Sequence, residues 1–242
     1  YFHMVFTLPH ALNALAQGNP RVLYALLFHA VRDTLLAFGH DPRHLGGESG
    51  VTAILHPWGQ TLSQHLHLHC IVTGGGLSFD TQHWQACPPG FLFPVLPLSK
   101  AFRDTFCAGL ARLHQHQQLV FAGDCAELER ADNFAGLMAE LQAKDWQVSA
   151  KESFGGPDQV FNYLGRYVHR VAISNNRLVS IENDQVRFQW RDNRDGGRLK
   201  EMTLPAVEFM RRFLLHVLPT GFVRIRYYGL FSNGQRQRKL KR

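Results

Sequence analysis

The sequence predicts an α+β fold: a central antiparallel β-sheet flanked by helices, with a β-hairpin and a helix added toward the C-terminus. Three observations carry that expectation. His65-Leu66-His67-Leu68-His69 alternates polar and apolar residues and runs on into Cys70-Ile71-Val72 before Gly74-Gly75-Gly76, the pattern of a strand that packs one face on a core and ends in a turn. Residues 20–38, 99–117 and 124–143 space their apolar side chains at helical intervals. The remaining apolar runs are short and joined by turns, which favours antiparallel neighbours over crossover connections.

Taken in order, Val5-Phe6-Thr7-Leu8 is a short buried strand stopped by Pro9. Pro20 opens a helix at a position where its missing N–H is no loss, and Val22, Leu23, Ala25, Leu26, Leu27 and Phe28 leave that helix few polar faces. After Gly46-Gly47, Val51 to Leu55 forms a second strand, and His56-Pro57-Trp58-Gly59-Gln60 turns the chain into the histidine strand. Residues 78–98, rich in Pro and aromatics, read as an irregular excursion between that strand and the helices at 99–117 and 124–143. Trp146 to Ala150 returns as a strand, and Gly155-Gly156-Pro157 starts another helix. Arg177 to Ile181 and Gln185 to Trp190 form a hairpin about Glu182-Asn183-Asp184, followed by a strand at Leu199 to Thr203 and a helix at Pro205 to Val217. Phe222 to Tyr227 alternates apolar and basic residues, as an edge strand beside phosphates would. No repeat or composition break divides the chain, so 1–242 reads as one domain, with a basic portion from about 151 onward.

With 45% apolar and 12% aromatic residues, 242 residues are enough for a packed core. Cys70, Cys87, Cys107 and Cys125 stand singly, which argues against a zinc ribbon or a disulfide scaffold. No apolar run approaches the ~18 residues of a bilayer span, and Tyr1 to Phe6 lacks a signal-peptide layout, so a soluble cytoplasmic protein without a membrane partner is expected. The net charge of +7 is unevenly placed. Residues 1–150 hold 8 Lys and Arg against 11 Asp and Glu, and 151–242 hold 18 against 8. A basic portion ending in Arg236-Gln237-Arg238-Lys239-Leu240-Lys241-Arg242 suits a polyanion, nucleic acid above all.

In a strand, His65, His67 and His69 share one face, neighbouring pairs lying roughly 7 Å apart at Cα, a workable spacing for two imidazole ligands of one ion. Tyr163 and Tyr167, four apart in Phe161-Asn162-Tyr163-Leu164-Gly165-Arg166-Tyr167-Val168-His169-Arg170, share one helical face. Such a pair is ordinarily packing, but beside a metal that polarises a phosphate a phenol becomes a nucleophile able to form a phosphotyrosine.

Through these runs the sequence resembles the HUH superfamily of single-strand DNA nucleases, and within it the two-tyrosine rolling-circle transposases of bacterial insertion sequences, the IS-ninety-one family. The matching runs are Tyr1 to His10, Leu55-His56-Pro57-Trp58-Gly59-Gln60, His67 to Val72 with its glycine triplet, Tyr163 to Arg170, and Leu218-Pro219-Thr220-Gly221-Phe222, in the family's order. The resemblance implies a metal motif on His67 and His69 and nucleophiles at Tyr163 and Tyr167. It offers Gln60 as third ligand, with His65 and His56 as alternates, and Mg²⁺ or Mn²⁺ as the ion. It also implies nicking and strand transfer on single-stranded DNA through a 5′-phosphotyrosine, in a bacterial protein associated with the nucleoid when on DNA. Arg166, Arg170, Arg224, Arg226 and Trp58 are candidate DNA contacts, by charge or by stacking on bases. Family members add cysteine-rich segments that this sequence lacks, so it resembles a catalytic core. A replication initiator or relaxase with the same nicking chemistry, a metal-free nucleic-acid-binding module and a phosphoesterase that attacks with water are the other readings.

Overall fold

A computed structural model describes residues 1–80, 83–152, 173–192 and 195–234. The central sheet has five strands in the order β11-β3-β4-β1-β7, formed by Phe2–Thr7 (β1), Gly50–Trp58 (β3), Gln64–Val72 (β4), Val148–Glu152 (β7) and Ile225–Gly229 (β11). Every pairing in it is antiparallel. The expected α+β architecture is present, with the histidine strand β4 in the middle and β11 at one edge.

The sheet's two faces differ sharply. Met4, Phe6, Val51, Ala53, Leu55, Leu66, Leu68, Cys70 and Val72 face a continuous core shared with the helices Pro20–His40 (α2) and Val95–Gln115 (α3). α2 is long and apolar enough by composition to cross a bilayer, but Leu23, Leu27, Phe28, Val31 and Leu35 are fully buried against this core, which accounts for its apolarity. α3 packs close beside it because Gly109 presents no Cβ, and a Cβ there would collide with Leu26. The short helix Asn13–Gly18 (α1) and the helix Ala131–Ala143 (α4) complete this layer, and no disulfide joins any of the four cysteines.

Several boundaries move from their expected places. α3 begins at Val95 rather than 99, since Pro97 falls in the first turn, where no intrahelical N–H is needed. The helix expected over 124–143 is a 3-10 stretch at Gly123–Glu129 followed by α4, the two separated by an extended Arg130 (φ −71°, ψ 128°). Trp146, expected in a strand, is buried against Phe102 and Phe106 and donates Nε1–H to the Leu141 carbonyl, so β7 starts two residues later. Within the expected excursion, Gly75–Ser78 (β5) and Trp84–Ala86 (β6) form a small sheet with Gly47–Glu48 (β2).

A second small core lies at the tip of the β3–β4 hairpin. Leu178–Glu182 (β8), Gln185–Asp192 (β9) and Arg198–Pro205 (β10) form a three-stranded sheet covered by Ala206–Leu214 (α5). Asn183 and Asp184, both at positive φ, make the expected turn between β8 and β9. Its buried centre is Ile173, Phe188, Leu204 and, from the hairpin tip, Leu62. Leu62 adopts φ +59°, a conformation that costs a branched side chain on the order of 1 kcal/mol and persists because its surroundings hold it. Three successive tip carbonyls accept hydrogen bonds from basic side chains: Gln60 from Arg177, Thr61 from Arg212 at 3.3 Å and Leu62 from His216 at 3.2 Å.

Candidate metal centre

The face of the sheet opposite α2 and α3 carries the histidines. Strand alternation places His67 and His69 on that face of β4. β3 contributes His56, directly across the ladder from His67. The sequence predicts that this strand ends at Leu55 and that His56 to Gln60 form a turn. The strand instead runs through Trp58 and absorbs Pro57 in a register shift between His56 and Trp58. That irregularity keeps His56 on the sheet rather than in a turn.

The three imidazoles converge. Ring centroids are 4.5 Å apart for His56 and His69, 4.8 Å for His67 and His69, and 5.6 Å for His56 and His67. One nitrogen from each lies within 4.8 Å of the others, and all three side chains are buried. The Nε2 atoms of His67 and His69 are 3.1 Å apart. Two nitrogens each ~2.1 Å from an ion, at angles between tetrahedral and octahedral, would be roughly 3.0–3.4 Å apart, so this pair already has a chelating bite.

Hydrogen bonds fix the rings. His67 Nδ1 is 2.7 Å from the His65 carbonyl, which can only accept, so the His67 proton is on Nδ1 and Nε2 keeps its lone pair. Burial, aided by His65, lowers the His67 pKa to about 4, so the ring is neutral and fit to ligate near pH 7. His69 Nδ1 is 2.8 Å from Nε2 of His3, which projects from β1 onto the same face. His3 lay within a recognised run but carried no role in the sequence reading; the alternation of His3, Val5 and Thr7 was the available signal.

The remaining candidates fall in different places. His65 shares the face but is only half-buried, its ring 4.9 Å from His67 and 5.5 Å from His10; burial and then His10 lower its pKa. Gln60 lies in the turn after β3, with its carbonyl held by Arg177. Trp58 stacks on His56 at 5.3 Å and 13°, under the Arg224 guanidinium at 5.1 Å and beside His216 at 5.4 Å. Arg224 also donates to the Leu55 carbonyl, whereas Arg226 reaches to the helical side of the sheet, over Phe28 and Phe222. Tyr163, Arg166, Tyr167 and Arg170 lie outside the described residues, as does the basic terminus from 235 onward.

Residues 50–239 match the family model Y2_Tnp, described as "Putative transposase". The chain is 52% identical over 240 residues to "Putative transposase y4qJ" of Sinorhizobium fredii (strain NBRC 101917 / NGR234), covering 99% of this chain and 60% of that protein. It is 28% identical over 240 residues to "Transposase for insertion sequence element IS801" of Pseudomonas savastanoi pv. phaseolicola, covering 96% of this chain and 54% of that protein. The chain therefore spans somewhat more than half the length of these relatives. No solved structure matches it. With a match over most of its length, this α+β chain with three converging histidines belongs to the Y2_Tnp transposase family.

Proposed function

We propose that this chain is the catalytic portion of a rolling-circle transposase that nicks single-stranded DNA by tyrosine attack, with His56, His67 and His69 holding a divalent cation. The observation that carries the reading is the convergence of three buried imidazoles on the sheet face away from the helices, in a chain of a transposase family. His56 takes the third position because it stands across the ladder from His67; Gln60 and His65 are the alternates. Three imidazoles favour Mn²⁺ over Mg²⁺ and would take Co²⁺, Ni²⁺ or Zn²⁺ more tightly still.

The cation, when bound, supplies Lewis acidity that draws charge from a scissile phosphate. His67 and His69 present Nε2 to a common point and, held by the His65 carbonyl and by His3, need little reorganisation. The Tyr163 phenolic oxygen attacks phosphorus in line. The O–P bond forms as the P–O3′ bond breaks, the phenol gives up its proton and the departing 3′ oxygen gains one, leaving a 5′-phosphotyrosine and a 3′-hydroxyl without consuming water. Tyr167 repeats the step at a second junction, which is how paired nucleophiles suit strand transfer. Arg166, Arg170, Arg224 and Trp58 are the candidates for gripping the unpaired strand, whereas Arg226, over Phe28 and Phe222, lies on the opposite side of the sheet from the histidines.

The test is incubation with single-stranded oligonucleotides and Mn²⁺ followed by a denaturing gel. A covalent protein–DNA band that disappears in Tyr163→Phe supports the reading. Cleavage without such a band would assign the reaction to water, and binding without cleavage would reduce the chain to a nucleic-acid-binding module.

A further inference from the structure

We infer that His3 is a positioning residue for the metal centre: it accepts a hydrogen bond from His69 Nδ1–H when an ion occupies Nε2, and so holds His69 in the ligating tautomer. The inference rests on the proposed metal site and concerns a residue outside the ligand set.

The row of histidines has one fixed end. A carbonyl oxygen accepts and never donates, so the contact between His67 Nδ1 and the His65 carbonyl sets the His67 proton on Nδ1 and leaves Nε2 as an acceptor. The 3.1 Å contact between the two Nε2 atoms then requires His69 to donate from Nε2, which leaves His69 Nδ1 bare. His3, 2.8 Å from that Nδ1, must donate from Nε2. In neutral rings without an ion, three hydrogen bonds therefore run in one direction, from His3 through His69 and His67 to the backbone. The His3 and His69 rings lie within 7° of parallel with centroids 5.1 Å apart. That separation is the N···N distance extended by one ring radius at each end, so the rings meet edge to edge in a common plane, the best orientation for an N–H···N bond.

An ion bound by both Nε2 atoms reverses part of this row. His67 needs no change, because its lone pair already faces the site. His69 must carry its proton on Nδ1, and His3 Nε2, bonded there, becomes the acceptor while its own proton resides on Nδ1. Each ring keeps one proton throughout, so no proton is released and no ring becomes charged. At a side chain that is 8% exposed, replacing that acceptor by an apolar group takes a hydrogen-bond partner from the His69 N–H and weakens ion binding. Sheet geometry makes the contact dependable: Val5 lies directly opposite His69 and His3 lies one same-face position further along β1, the diagonal that a long ring can span.

The test measures Mn²⁺ affinity by isothermal titration in the wild type, His3→Leu, His3→Gln and His67→Ala, with nitrogen NMR of the Zn²⁺-loaded wild type reporting the His69 tautomer. We expect His3→Leu to bind Mn²⁺ about 10–100-fold more weakly and His3→Gln, whose amide oxygen can accept from Nδ1–H, to recover most of the loss. His69 should carry its proton on Nδ1 in the Zn²⁺ form. Unchanged affinity in His3→Leu while His67→Ala abolishes binding would overturn this inference and leave the metal site standing. Equal loss in His3→Leu and His3→Gln, or a His69 proton on Nε2 in the Zn²⁺ form, would also overturn it. A wild type that binds neither ion would overturn the site itself. Should His3→Leu fail to fold, the wild-type tautomer and His3→Gln decide the matter.

Discussion

The five-stranded sheet buries Phe6, Phe28, Phe93, Phe102 and Phe106 in one continuous apolar core, whereas the buried cluster of the three-stranded sheet comprises Ile173, Phe188, Leu204 and a single visitor, Leu62. The larger unit is held by area removed from water, which is large and indifferent to direction. The smaller one leans on directional bonds from Arg177, Arg212 and His216 to successive carbonyls at the hairpin tip. The candidate metal centre sits between these regimes, on strands fixed by the large core but joined through Trp58 to His216 of the smaller one. Rigid ligand placement is thus inherited from the big sheet, while the small unit is the part most easily perturbed without loss of the histidine cluster.

That contrast can be broken experimentally. The largest effect is expected for Phe188→Ala, which empties the centre of the small core at a cost of about 3–5 kcal/mol. Limited proteolysis should then cut within 178–205 while the main melting transition persists; a single cooperative loss of all structure would show that the two units are not separable. Next, His56→Ala should weaken Mn²⁺ binding about 100-fold, equivalent to roughly 3 kcal/mol, with Gln60→Ala within a few-fold of wild type. The opposite ranking in a titration would move the third ligand to the tip. Leu62→Ala removes the plug at a cost of about 2–4 kcal/mol to the small unit, and should raise amide exchange in β8 to β10 more than in β4.

The smallest effect sharpens the contrast through pH. Burial lowers the His216 pKa to about 4, against which its bond to the Leu62 carbonyl works only in part, and its Nδ1 is buried without a partner among the described residues. A histidine whose folded pKa lies below its unfolded value near 6.5 binds its proton more readily when unfolded. Its stabilisation is therefore complete above about pH 6.5 and declines as pH falls toward 4, by on the order of 1 kcal/mol after allowance for partial solvent access. In thermal melts across that window, His216→Gln should lose less stability than the wild type. Equal slopes would remove His216 from the clamp.

How far the sequence foretold this arrangement depends on whether neighbours along the chain or across the sheet decide a residue's place. The alternation from His65 to Val72 and the apolar spacing after Pro20 are local signals, and both elements are present. The turn at Asn183-Asp184 was legible for the same reason. The run from His56 to Gln60 reads as a turn, yet pairing with β4 carries the strand through Trp58. His3 and His216 were not legible as partners, since each acquires its contact from a residue 66 or 154 positions away. Trp146 read as strand by type but is claimed by Phe102 and Phe106, an override of propensity by packing.

The register shift in the β3–β4 hairpin has one further consequence. Regular pairing between the two strands ends at His56 and resumes at Trp58, so the irregularity lies beside the imidazole proposed as third ligand. His56 and His67 form the last regular pair before that shift and His69 lies further inside the ladder, a gradation that would let adjustment to a metal of slightly different radius fall at the hairpin end of the cluster.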